Sequence, residues 1–82
     1  MNNQERASVR AYLSGRLDGL PIEDDENLFE AGHLNSLFAV QLVMWIERTF
    51  DVPIEGADLD FTNIQSVDAI ASFVARKREA AA

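Results

Sequence analysis

Apolar residues in the middle of the chain repeat at the spacing of one face of an α-helix. Between positions 37 and 46 only Gln41 interrupts an apolar run, and positions 39, 42, 43, 46 and 50 follow the i, i+3, i+4, i+7 pattern. This pattern predicts a helix from Ser36 to about Phe50, with apolar side chains left over for a second face. Asn35 and Ser36 stand at its start, where such side chains commonly cap the free N–H groups of the first turn.

Two further segments, one on each side of this helix, carry the same periodicity. Asn3 can cap the first of them and Ser66 the last, and the residues 79–82 after the last helix are expected to fray. The predicted buried stripes consist of Val9, Tyr12, Leu13 and Leu17 in the first helix and of Val67, Ile70, Ala71 and Val74 in the last.

The segments between these helices predict a long loop and a short helix. Loops beyond about 12–15 residues are uncommon in compact domains unless they are functional or packed, so the loop 18–35 should place its apolar residues against the core. Residues 56–63 are long enough for one or two helical turns. We therefore predict an all-α fold, a four-helix bundle with a short third helix and a long loop between helices one and two. The apolar residues of the loop are Leu20, Ile22, Leu28 and Phe29.

Composition indicates one small domain, spanning residues 1–82. The 82 residues are 48% hydrophobic, which is enough for one modest core. No stretch approaches the roughly 20 apolar residues that a membrane span requires. The polar N-terminus and the absence of cysteine fit a cytoplasmic protein. We expect a monomer that does not bind membranes.

The net charge of −7 is concentrated in two segments. Residues 18–35 contain six acids and residues 51–68 contain five, and neither segment contains Lys or Arg. Such a chain repels phosphate backbones, so nucleic-acid binding is excluded as a function. The acids favour partners with basic surfaces, or they simply keep a small helical domain soluble.

Residues suited to catalysis or metal binding are few. One histidine, His33, and no cysteine leave no zinc site. A minimal esterase using Ser36 and His33 is formally possible, but no oxyanion hole or substrate pocket is visible, and His33 is expected to be a solvent-facing loop residue. The local sequence thus leaves two main interpretations of Ser36, a plain helix cap or a point of covalent attachment.

The segment around Ser36 resembles the acyl and peptidyl carrier proteins. The resemblance rests on Leu28-Phe29-Glu30-Ala31-Gly32-His33-Leu34-Asn35-Ser36-Leu37 followed by Val40-Gln41-Leu42-Val43-Met44, and it extends over about residues 5–75. The family hallmark is a Gly followed by Asp-Ser-Leu at the start of the second helix. The loop form without a Gly-Gly pair is most similar to small stand-alone acyl carriers of polyketide and nonribosomal-peptide pathways, and to D-alanyl carriers.

The resemblance implies a carrier without catalytic activity of its own. It implies that Ser36 bears 4′-phosphopantetheine, derived from coenzyme A and attached by a phosphopantetheinyl transferase, with Asn35 and Leu37 beside the attachment point. The arm would hold an acyl group as a thioester and shuttle it between acyl-loading and acyl-accepting enzymes. The alternatives are an aminoacyl carrier of the D-alanyl type, or a non-catalytic helical interaction module in which Ser36 is only a cap.

Two departures from the family pattern affect these expectations. Asn35 replaces the Asp of the hallmark, which keeps the capping ability but removes a charge. The second helix is also poor in acids and carries Phe38, Gln41 and Trp45 on one stripe. At least one of the two aromatic residues could stay exposed and dock a partner, or both could pack under the long loop or against the short third helix. The predicted partner-binding residues are Leu37, Phe38, Val40, Gln41, Met44 and Trp45.

Overall fold

Three α-helices form the framework of the protein. The computed structural model describes residues 3–19 and 21–81, with the side chains of residues 3 and 81 excepted. Helix α1 spans Asn3–Arg16, α2 spans Ser36–Phe50 and α3 spans Val67–Ala81. No β-strand occurs in the described ranges. The all-α prediction is therefore confirmed, and α3 continues through residues 79–81, where fraying was expected.

The predicted short third helix is replaced by two single turns of 3₁₀ helix. These turns span Gly56–Asp58 and Phe61–Asn63. Leu59 and Asp60 separate them, and Asp60 caps the second turn, since its side chain accepts a hydrogen bond from the Thr62 N–H. The described chain thus contains three α-helices, not four, because the acid-rich connection between α2 and α3 closes tight local turns instead of one continuous helix.

The apolar stripes of the three helices meet in one core. The central positions of each predicted stripe are buried, whereas Tyr12 and Leu17 are half-buried at its edge. In α2 the buried residues are those of the predicted inward face, with Val43 only partly covered. The buried apolar residues of the helices are Val9, Leu13, Ala39, Leu42, Ile46, Phe50, Val67, Ile70, Ala71, Phe73 and Val74.

The long loop between α1 and α2 packs against this core, as its sequence predicted. Ile22 and Leu28 are buried, and Phe29 packs partly against the core. The loop is also tied to the start of α3, because the Leu28 N–H donates to the Gln65 carbonyl at 2.7 Å. The side chain of Asn3, predicted to cap α1, lies outside the part of the chain that the structure describes, and so does Leu20, predicted to pack from the loop against the core.

Candidate functional site

Ser36 is the first residue of α2 and is exposed to solvent. Asn35 precedes it in an extended conformation and caps the helix, since its Oδ1 accepts a hydrogen bond from the Phe38 N–H at 2.9 Å and its backbone carbonyl accepts one from Ala39. The N–H groups of Ser36 and Leu37 find no backbone acceptor in the described structure. An accessible hydroxyl therefore lies at the positive end of a helix dipole, beside N–H groups available to an anion.

His33 packs against Glu26 within the loop that leads into Ser36. The His33 Nε2 lies 3.4 Å from Glu26 Oε2, and only 16% of the His33 side chain is exposed. The other oxygen of Glu26 accepts a hydrogen bond from the Glu23 N–H. The prediction that His33 faces solvent is therefore wrong, because the imidazole lies against the carboxylate of Glu26 within the loop.

An apolar cavity opens beside Ser36, between α2 and the turns that precede α3. Its volume is about 320 Å³, and Ser36, Asp58 and Asp60 contribute its polar side chains. The apolar lining consists of Ala39, Val40, Val43, Met44, Ile54, Leu59, Phe61, Ile64 and Phe73. Such a cavity can take up an apolar chain but offers few partners to a charged one.

Five large apolar side chains on α2 and in the connection that precedes α3 are exposed. Leu37 is 70% exposed, Val40 57% and Met44 51%, and all three lie on one side of α2 at i, i+3 and i+7. From the turns that precede α3, Leu59 is 61% and Phe61 56% exposed. We call this set of five residues the outward face. Val40, Met44, Leu59 and Phe61 line the cavity, and Leu37 directly follows Ser36 in the chain. Exposed large apolar residues grouped in this way mark an interaction site.

The aromatic stripe predicted for partner binding does not belong to this face. Trp45 is half-buried and stacks on Tyr12 of α1, with ring centroids 4.2 Å apart, and it meets Phe50 edge-on at 5.5 Å. Phe38 packs partly on the core and lies beneath the Arg16 guanidinium at 4.8 Å, while Gln41 accepts a hydrogen bond from the same guanidinium. Helix α1 therefore covers part of each of these side chains, and their role in partner binding stays a prediction. We call Phe38, Gln41 and Trp45 the α1-side face.

Sequence reasoning missed Leu59 and Phe61 as members of the site. Both occur among acids in the connection 56–63, where no periodicity assigns them to a face. The structure stacks Phe61 on Phe29 of the long loop, with centroids 4.6 Å apart, which brings the turn close to the loop before Ser36. The signal available in the sequence was the presence of one large aliphatic and one aromatic residue in an otherwise acidic connection.

Polar contacts fix the segment that carries Leu59 and Phe61. Lys77 of α3 donates to Asp58 Oδ2 at 2.7 Å, and the Glu55 N–H donates to the same oxygen. These two hydrogen bonds, of which the one from Lys77 has the larger effect, hold the pKa of Asp58 below its usual range. Glu47 of α2 accepts a hydrogen bond from the Ile54 N–H at 3.1 Å. The wall of the cavity is therefore anchored to both α2 and α3.

Other kinds of site receive no support from the described residues. No group of three or more His, Asp or Glu side chains within residues 3–19 and 21–81 could hold a metal ion. No described helix is long and apolar enough to cross a membrane. The structure pairs His33 with Glu26 and gives no hydrogen bond between His33 and Ser36 among its described contacts.

Comparison with known proteins identifies the family. A family model described as a phosphopantetheine attachment site matches residues 8–74 of the 82. No match was found among curated proteins or among solved structures. The matched range contains all of α2 and the segment Asn35–Ser36–Leu37. The chain therefore belongs to the family of phosphopantetheine attachment domains, which bear covalently bound 4′-phosphopantetheine.

Proposed function

We propose that Ser36 is the residue to which 4′-phosphopantetheine is attached. The observation that supports this proposal is the exposed position of Ser36 as the first residue of α2. Ser36 lies within the range matched by the family model and directly follows the loop segment Gly32–Asn35. The surroundings fit a phosphodiester, because the positive end of the helix dipole and the N–H groups of Ser36 and Leu37 favour an anion. Asn35 adds no negative charge that would repel it.

The protein would act as an acyl carrier, and its partners would perform the chemistry. The prosthetic group, when bound, supplies the thiol on which an acyl group is held as a thioester, and the chain itself contains no cysteine. Domains of this family are carriers rather than catalysts, and they work with a phosphopantetheinyl transferase and with synthase partners. The acyl-loading and acyl-accepting enzymes would be those partners here.

The cavity beside Ser36 supports an acyl cargo over an aminoacyl cargo. Its lining is apolar apart from Ser36 and two aspartates, of which Asp58 is engaged by Lys77. An α-ammonium group would lose its hydration against the apolar side chains of the lining, and the carboxylate of Asp60 already accepts hydrogen bonds from Thr62. The loop form around Gly32 is most similar to that of small stand-alone acyl carriers, which favours a discrete carrier in polyketide or nonribosomal-peptide biosynthesis.

Partner enzymes would dock on the outward face. Leu37, Val40 and Met44 are exposed and neighbour the proposed attachment point. The α1-side face contributes indirectly, since Tyr12 and Arg16 cover it and thereby fix the orientation of α2. Of the six residues predicted from the sequence to bind partners, the proposal retains these three as direct contacts.

Intact mass spectrometry tests the proposed attachment. Apo protein is incubated with coenzyme A, Mg²⁺ and a broad-specificity phosphopantetheinyl transferase, and the wild type should gain the mass of one phosphopantetheine. Ser36→Ala should gain none while its helical circular dichroism stays close to that of the wild type, because losing one hydroxyl beside an intact Asn35 cap costs little.

Two results would contradict the assignment. Peptide mapping that places the arm on Ser66, Ser72 or another serine would exclude Ser36. The absence of any mass gain in the wild type would favour the alternative in which Ser36 is a plain cap and the outward face serves a non-carrier interaction.

A further inference from the structure

We infer that Asn27 is a positioning residue for attachment of the arm, because its side-chain oxygen holds the turn that leads into Ser36. The inference rests on the proposed attachment at Ser36 and goes beyond it, since it gives a part in that reaction to a side chain nine residues earlier. Among the described hydrogen bonds of the Asn27 side chain none goes to Ser36, so Asn27 acts through the backbone between the two residues.

Asn27 caps a short turn of backbone that spans residues 28–32. Its Oδ1 accepts hydrogen bonds from the N–H groups of Phe29 and Glu30, each at 3.0 Å, and its backbone carbonyl accepts one from Ala31 at the same distance. This one residue thus supplies the acceptors for three successive N–H groups, as an N-cap does at the start of a helix. Removal of Oδ1 would take the acceptor from two of them.

The turn closes on itself before α2 begins. Gly32 ends it with a φ of +83°, in the left-handed region, and its N–H donates back into the turn at 3.1 Å. The carbonyl of Leu28 accepts the N–H groups of the next two residues, at 2.8 and 3.0 Å. Every backbone N–H within residues 28–34 therefore has an acceptor, and the path of the chain toward Ser36 is set by hydrogen bonds that begin at Asn27.

Both ends of this turn are anchored to the rest of the fold. At its start, the Leu28 N–H donates to the Gln65 carbonyl at 2.7 Å, and Asn27 Nδ2 donates to Gln65 Oε1 at 3.3 Å. At its end, Leu34 is buried in the core two residues before Ser36. Because both ends are held, the loss of the cap should be taken up by the exposed backbone between them and at the start of α2, and not by the core.

The attachment reaction is sensitive to the position of this backbone. The Ser36 oxygen forms a bond to the pantetheine-side phosphorus of coenzyme A, the pyrophosphate P–O bond breaks, and the nucleotide bisphosphate leaves while the hydroxyl proton passes to a base of the enzyme. A misplacement of about 1 Å between reacting groups can lower such a rate by about 100-fold. Asn27 thus favours the transfer by keeping the hydroxyl in a fixed place relative to the loop that an enzyme over Ser36 also meets.

The test compares variants of Asn27 as substrates of the broad-specificity phosphopantetheinyl transferase. Asn27→Ala should lower kcat by about fivefold or more and leave KM within about twofold, because the position of the hydroxyl changes while the exposed surface is retained. Asn27→Asp keeps an oxygen for both N–H groups and should stay within about twofold of the wild type. Ser66→Ala is the matched control, since it removes the side-chain cap of α3 and should lower stability without lowering kcat.

A second measurement needs no arm. In amide proton–nitrogen NMR spectra of the apo proteins, Asn27→Ala should shift the resonances of Ser36 and Leu37, whereas Ser66→Ala should leave them in place. Circular dichroism checks that each variant is folded, and Asn27→Gln, which moves the amide oxygen by one methylene, replaces Asn27→Ala if that variant is not.

Three results would overturn the inference: unshifted Ser36 resonances, a loss of rate in KM alone, or an equal loss of kcat in Ser66→Ala. A wild type that accepts no arm contradicts the proposed function instead. The NMR comparison still reports on the position of Ser36 in that case, so the two failures are distinguishable.

Discussion

The two apolar faces of α2 differ in what covers them. On the α1-side face, Trp45 stacks on Tyr12, and Arg16 lies over Phe38 while it donates to Gln41. On the outward face, Leu37, Val40 and Met44 remain more than half exposed. The same helix thus uses one set of large side chains in its own fold and presents another set to solvent. The first set should determine stability and the second should determine recognition.

Truncation of Trp45 should cause the largest loss of stability among these changes. Trp45→Ala removes a stacked ring and an edge contact with Phe50, and we expect a loss of about 2–3 kcal/mol, somewhat below the cost for a fully buried aromatic. Met44→Ala on the outward face should cost under about 1 kcal/mol. Urea denaturation of both variants measures the difference. Equal losses would show that the two faces are not energetically distinct.

Loss of the ion pair between Glu5 of α1 and Arg78 of α3 should cause the second-largest decrease in stability. Glu5 is 5% exposed and accepts a hydrogen bond from Arg78 Nη1 at 2.9 Å, so Arg78→Ala would leave a buried carboxylate without its cation. We expect a loss of about 1–2 kcal/mol by urea denaturation, with part of it restored by adding Glu5→Gln. Arg76→Ala, whose exposed guanidinium bonds to Asn63, is the matched control and should cost less.

The free energy of unfolding should depend on pH because of Asp58, which lines the cavity beside the outward face. The Lys77 hydrogen bond, followed by that from the Glu55 N–H, lowers the pKa of Asp58 in the folded protein. Its stabilising contribution is therefore fully present above the ordinary Asp pKa of about 4 and is lost as pH falls through the lowered folded value. Unfolding free energies of wild type and Lys77→Met, measured from pH 7 to pH 2, should converge at the acidic end. A gap that is independent of pH would contradict this account.

The smallest change in stability is expected at the cap of α2. Asn35→Asp keeps the oxygen that accepts the Phe38 N–H and adds a charge near the helix N-terminus, so stability should change by no more than about 0.5 kcal/mol. Thermal or urea unfolding checks this expectation. The rate of arm attachment to the same variant then measures whether the transferase reads the missing carboxylate, and equal rates would show that the uncharged cap is harmless.

Local patterns in the sequence were sufficient to predict the three α-helices and the packed loop. They were not sufficient to predict which face of α2 is covered by another helix. Asn35 and Ser66 cap α2 and α3 through contacts within three residues, so their roles could be predicted from neighbouring positions. The 3.6-residue period also identified the buried stripes and the surplus of apolar residues on α2. It could not determine which surplus face is covered, because that depends on Tyr12 and Arg16, which lie on another helix.

The site contains two more features that depend on contacts beyond the immediate neighbours in the chain. Leu59 and Phe61 join the outward face only because the connection folds into two 3₁₀ turns anchored by Lys77. His33 lies against Glu26, seven residues earlier, and nothing in the local sequence signals that contact. Ser36, in contrast, is marked by its immediate neighbours in the chain, so the amino-acid sequence alone is enough to single it out as a candidate.

The contact between Glu5 and Arg78 determines where the protein can be tethered. Arg78 also lies over Phe50, with its guanidinium carbon 5.4 Å from the ring centroid, so the start of α1 and the end of α3 meet at the C-terminal end of α2. A helix of this length places Ser36 roughly 21 Å away, at the opposite pole. A dye, a resin linkage or a sensor surface attached at Gln4 or Ala80 would therefore hold the molecule with its serine pointing outward. In this orientation, every immobilised copy would present the same end to an enzyme in solution.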